Sequence, residues 1–135
     1  MKRVVLALLL VGVAGCGAQS QQSSVDKFTD PNEKAVAQKV EDLEQAGKAR
    51  KPEDICSNIL AKTVVDELDA AGTDCKTEMQ KAIDDANDLD LEVQKVTVTG
   101  SDATAEVKQG DDGPVERMTF TKEGNDWRAT ALSEG

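Results

Sequence analysis

The 135-residue chain has three cysteines and neither histidine nor tyrosine, and this limits the chemistry it can carry. Without histidine, neither a Ser-His-Asp triad nor a Cys-His pair can be assembled. What remains for acid–base work is a buried carboxylate acting with Arg117 or Arg128. Arg128 follows Trp127 in an alternating segment, so it is expected to point away from a core that Trp127 enters. A zinc site draws on about four ligands, typically Cys and His, so no metal centre is expected. No cofactor is implied, no catalytic residue is assigned, and the chain is not expected to be an enzyme.

The other concentration of reactive groups is acidic. Between Asp66 and Glu92 the chain carries ten carboxylates against two lysines. Asp84, Asp85, Asn87, Asp88 and Asp90 are dense in oxygen ligands near a helix end, yet the EF-hand spacing with its central glycine is missing. Three readings stand: a cation site, a docking face for a basic protein partner, or a solvated helix face that keeps the protein soluble. Net charge is −10 overall. No polybasic patch marks a nucleic-acid partner, and an anionic membrane surface would repel the domain.

A third set of residues is notable for small size. Ala103, Ala105, Ala129 and Ala131 occupy inward phases of alternating segments, beside Val98, Met118, Phe120 and Trp127. Under a helix layer such residues either leave a pocket or let the helices approach and fill the space. Val98, Ala105, Met118, Phe120, Trp127 and Ala129 are the candidate pocket.

The elements that must position these residues follow from periodicity. Asp30-Pro31-Asn32-Glu33 is a helix start, with Asp at the N-cap, Pro at N1 and Glu at N3. Val36, Val40, Leu43 and Ala46 continue at helical spacing, and Gly47 supplies a stop. Pro52 opens a short second helix through Leu60. Thr63 is expected to cap a third, with Val64, Val65 and Leu68 inward and Gly72 ending it. Thr73 or Asp74 caps a fourth, striped by Cys75, Met79, Ala82, Ile83 and Ala86.

From Leu91 the period changes to alternation with regularly spaced turns. Strands are predicted over Leu91–Thr99, Ala103–Gln109, Val115–Lys122 and Trp127–Leu132, joined at Gly100-Ser101-Asp102, Gly110-Asp111-Asp112-Gly113 and Gly124-Asn125-Asp126. The phase slips between Val93 and Val96, which implies a bulge or bend. Short connections make this an antiparallel four-stranded meander. Helices first and sheet second imply an α+β domain with the helices packed on one sheet face.

The amino terminus supplies an address. Lys2 and Arg3 precede an apolar run from Val4 to Val13, too short to span a bilayer but of secretory length. The sequence Val13-Ala14-Gly15-Cys16 resembles the lipobox of bacterial lipoprotein precursors. The resemblance implies a signal peptide over residues 1–15, diacylglyceryl and palmitate-type acylation of Cys16, and a lipid-anchored, extracytoplasmic position at the cell membrane. Two or more acyl chains give lasting anchorage. Losing Lys2 and Arg3 with the leader would shift the net charge from −10 to −12, so the lipid alone would hold the domain to its membrane. Residues 16–29 read as a lipidated flexible tether, with Val25 and Phe28 as the candidates to dock, and residues 30–135 as one domain. With Cys16 consumed by lipid, Cys56 and Cys75 remain, and outside the cytoplasm a disulfide is their simplest state, against two buried free thiols.

The order of elements, ending in Gly124-Asn125-Asp126-Trp127-Arg128, is similar to the NTF2-like (SnoaL/cystatin-like) lipoproteins of actinobacteria over roughly residues 31–132. In that family the closing strand often carries a Gly-x-x-Trp-Arg element, matched here by Gly124, Trp127 and Arg128. One departure is the Ala61–Ala71 stretch, which reads as helical where many such folds place a strand or hairpin. Together with the residues above, this suggests an envelope binding module for a small apolar ligand; the alternatives are a protein-interaction module using the acidic face, read from its charge, or a degenerate SnoaL-type enzyme. The ordered part has twenty-two large apolar residues between Pro31 and Leu132, a thin core in which a disulfide across the helices would add about 3 kcal/mol.

Overall fold

The computed structural model describes residues 23–134; the expected leader and the lipobox cysteine Cys16 lie outside them. Helix α1 spans Pro31–Lys48. The Asp30 carboxylate accepts from the backbone amides of Asn32 and Glu33 at 2.8 and 3.2 Å, satisfying two donors that the first turn leaves open. Gly47 does not stop this helix. The stop lies at Arg50, whose φ is 56°. There the Arg50 amide donates to the Gly47 carbonyl and the Lys51 amide to Ala46, the paired bonds of a Schellman motif. Gly47 serves packing instead: it is buried, and an added Cβ would sit 3.4 Å from the Leu89 side chain.

Helix α2 begins as a single α-turn, Pro52–Asp54, and continues as a π-turn, Ile55–Ile59. Helix α3 covers Lys62–Ala70. Thr63 is not its cap; Ala61 occupies that place, and the Lys62 amide donates across to Glu123 Oε1 at 2.8 Å. Val64, Val65 and Leu68 are only half-buried, and Gly72, at φ 75°, ends the segment. Helix α4 spans Cys75–Asp85, and Asp74 caps it. The Thr77 amide and then its hydroxyl hold the Asp74 carboxyl below its ordinary pKa. The Sγ atoms of Cys56 and Cys75 lie 2.04 Å apart, at disulfide distance, linking the π-turn to the start of α4.

Four strands follow, β1 Leu91–Thr99, β2 Asp102–Gln109, β3 Val115–Glu123 and β4 Asp126–Glu134, in the antiparallel order β1-β2-β3-β4. The architecture is α+β: four helices and a four-stranded antiparallel sheet. The phase slip in β1 is a register shift between Val93 and Lys95, which turns both Gln94 and Lys95 to solvent and returns Val96 to the core. β4 carries a comparable irregularity opposite Arg117–Phe120. It pairs Ala131 with Thr119 of the outward phase, so Leu132, and not Ala131, comes inward.

Two pieces join the sheet from outside the meander. Leu60 forms a parallel bridge with Ala129, and the Ala61 amide donates to the Ala129 carbonyl at 2.8 Å. The stretch after α2 thus makes one sheet contact before α3 begins. At the opposite side, the last residues of the expected tether are not free. Ser24–Lys27 form a 3₁₀ turn against α1 and β1. Ser24 is buried, its hydroxyl accepting from the Val93 amide, while Ser23 and the Val25 amide donate to Glu41 and Lys27 pairs with Glu92. The ordered domain therefore includes Ser23–Thr29 rather than beginning at Asp30. None of the described helices is long and apolar enough to cross a membrane.

Candidate functional site

The inward face of the sheet is a series of cross-strand rows, and their composition changes along the strands. In the row next to the Lys122–Trp127 pair of the β3–β4 hairpin, Ala103, Phe120 and Ala129 are register partners, one large ring between two methyl groups. The next row pairs Val96 with Ala105 and Ala105 with Met118. Trp127 is 2 % exposed beside them, and Val36, Ala37 and Val40 of α1 are fully buried in the same core. Polar ties fix α1 over this end: Lys39 pairs with Asp126 at 3.2 Å and Lys122 donates to Asn32 at 3.2 Å. Small side chains here admit the helix, and the row lies buried beneath it.

The candidate pocket residues therefore separate. Ala105, Phe120, Trp127 and Ala129 are core residues, Val98 is half-buried at the edge of the same core, and Met118 lines the cleft described below. The Lys122 ammonium lies 5.5 Å over the Trp127 ring, and the Trp127 Nε1 has no partner among the described residues. Arg128 does turn away from the core: it donates to the Ser57 carbonyl at 2.6 Å and pairs with Asp126. Arg117 is exposed.

Towards the other end of the strands the rows turn polar: Val93, Val107 and Glu116, then Leu91 and Gln109. Here the sheet and helices leave a cleft of 180 Å³. Its floor is Leu91, Val107, Met118 and Leu132; its roof is Leu43 and Gly47 of α1, Ile55, and Met79, Ala82 and Ile83 of α4; Leu89 closes one side. The polar lining groups are Glu44, Gln109 and Glu116. An engineered cavity of about 150 Å³ holds benzene, so this volume suits one small ring or a short chain.

Two of the polar lining groups are already engaged. Glu44 accepts from the Leu91 amide at 2.9 Å and pairs with Lys48 at 2.6 Å. Lys48 also pairs with Asp90, and these hydrogen bonds, Asp90 foremost, hold its ammonium above its ordinary pKa. Gln109 donates to the Asp88 carbonyl at 2.6 Å and, with the Gly110 amide bonded to Asp90, pins the loop that carries Leu89. Glu116 has no ion-pair or hydrogen-bond partner among the described residues. Simple alternation back from Phe120 and Met118 places it inward, a signal carried by the sequence itself.

The acidic stretch is largely occupied by its own fold. Asp66 pairs with Lys62, Asp74 caps α4, Asp84 meets Arg50, Asp90 meets Lys48 and Glu92 meets Lys27. No group of three acidic or cysteine side chains among the described residues is arranged to hold a metal ion. A wider cleft of 480 Å³ shares Glu44 and Leu91 with the apolar one, but its Glu41, Glu44 and Glu92 are engaged as above and Leu91 is the only large apolar side chain among its lining residues. Comparison with protein families, with curated proteins and with solved structures finds no match to this chain.

Proposed function

We propose that this chain is a lipoprotein, anchored through Cys16 outside the cytoplasm, whose NTF2-like domain holds a small apolar ligand without transforming it. The observation that carries the binding reading is the cleft between the α1–α4 layer and the Leu91 end of the sheet. It is concave, mostly apolar, rimmed by few polar groups and set between the two layers, which are the features of small-molecule sites. The absence of histidine and tyrosine from the sequence argues for holding over turnover. The NTF2-like assignment is supported by helices preceding an antiparallel meander, by the sheet contact at Leu60, and by the Gly124, Trp127, Arg128 element.

Met79 and Met118 both line the cleft, and Met1 is the only other methionine. Methyl-labelled methionine therefore gives a direct NMR probe. Titration with 1-hexanol should shift both methyl resonances in the parent, and Leu43→Trp, which enlarges a half-buried side chain of the cleft roof, should abolish the shifts. Equal shifts in the two proteins would refute this site. The address is tested separately: Cys16→Ser should move the chain out of the detergent phase, and unchanged partitioning would refute lipid anchoring.

A further inference from the structure

The polar lining of the cleft is of one sign. Glu44 and Glu116 contribute carboxylates, Gln109 an amide, and no lysine or arginine lines it. Glu44 is neutralised by Lys48 and by the Leu91 amide, which leaves Glu116 as the carboxylate without a partner among the described residues. It stands on the inward phase of β3, two residues from Met118, and is half-buried. A carboxylate drawn into partly apolar surroundings gains most from a cation or strong donor brought to it. A ligand bearing its own carboxylate would meet like charge at short range.

Taking the cleft as the ligand site, we propose that its occupant is a small organic cation: an apolar body of about six to eight carbon atoms carrying a protonated amine, whose ammonium donates to Glu116. Apolar contact with Leu43, Met79, Ile83 and Leu132 supplies affinity, and Glu116 selects amines over acids of the same length.

The test compares three probes of equal chain length at neutral pH, hexylamine, 1-hexanol and hexanoate, read by the Met79 and Met118 methyl resonances of the full chain. Hexylamine should bind about tenfold or more tightly than hexanoate, with 1-hexanol between, and added salt should narrow the gap. Glu116→Gln should bring amine and acid within about threefold of each other, and Glu116→Lys should reverse their order; an unchanged backbone amide spectrum establishes that each variant is folded. Equal binding of hexylamine and hexanoate by the parent, or a preference that survives Glu116→Gln, would overturn the cation assignment while leaving the cleft as a site. Failure of all three probes to shift either methyl would overturn the cleft itself.

Discussion

The two ends of the sheet's inward face are built from the same alternating strands and end up with opposite properties. At the hairpin end, alanines flank Phe120 and the face is closed by Val36, Ala37 and Val40. At the Leu91 end the side chains are larger and in part polar, yet that is where the cleft lies. Small side chains on one face do not by themselves leave space, because they also govern how closely the opposing layer approaches. Small residues let a helix close down, whereas Glu116, Gln109 and Leu132 hold α4 and the end of α1 away.

The largest test of this contrast removes a filler from each end. Trp127→Ala should cost about 3–5 kcal/mol, which would unfold a marginal domain at moderate temperature. Leu132→Ala, beside a space already open, should fall at or below the low end of its class, about 2 kcal/mol. Thermal unfolding compares them, and similar losses would remove the distinction between the ends. Next in size is the Cys56–Cys75 link, which ties the start of the α4 roof to the π-turn across 19 residues. Chemical reduction, or replacement of both cysteines by Ala, should cost about 3 kcal/mol in the chain-entropy model. With about 4–8 °C per kcal/mol in a domain of this size, the melting curve is decisive, and methyl signals from Met79 should broaden before those of Trp127 neighbours change.

Ala105→Leu adds three carbons to a filled row and should cost about 1–3 kcal/mol by overpacking. Leu43→Trp, on the half-buried cleft roof, should cost less than about 1 kcal/mol, below the overpacking range; a loss equal to that of Ala105→Leu would mean that the cleft closes in solution. The smallest effect concerns how α1 stops beneath this roof. α3 ends on Gly72 and α1 on Arg50, both left-handed, with the same pair of closing bonds. A non-glycine residue pays a steric penalty in that conformation, so Arg50→Gly should stabilise the domain by up to about 1 kcal/mol, offset in part by the lost pairing with Asp84.

The strands were legible because each carries an alternating run between glycine-rich turns, and even the β1 bulge showed as a slipped phase between Val93 and Val96. The caps at Asp30 and Asp74 were legible because their chemistry is local. What escaped was set by tertiary contact. Gly47 reads as a stop, but its missing side chain makes room for Leu89, forty-two residues later. Lys62 is capped by Glu123 of a distant strand. Ser23–Phe28 look like tether because the partners that hold them, Glu41, Glu92 and Val93, come from two other elements. The cleft was missed for the same reason: the pattern of one face shows which residues point inward, not how near the second layer comes. The β4 irregularity has no strong local signal, and it alone exchanges Ala131 for Leu132 on the inward face.

The Leu60–Ala129 bridge and the Ser24 hydroxyl on Val93 have a joint consequence for how copies of this chain meet. A four-stranded open sheet has two outer strands with unsatisfied amides and carbonyls, and these can recruit a strand from another molecule. Here β4 is occupied at Ala129 by the connection into α3, and β1 is covered at Val93 by the 3₁₀ turn and then kinked by its bulge. Neither margin offers an uninterrupted run for a neighbour to extend. Under the proposed lipid anchoring, where copies would diffuse in two dimensions and collide in similar orientations, blocked margins on both sides would disfavour strand-to-strand association at high local density.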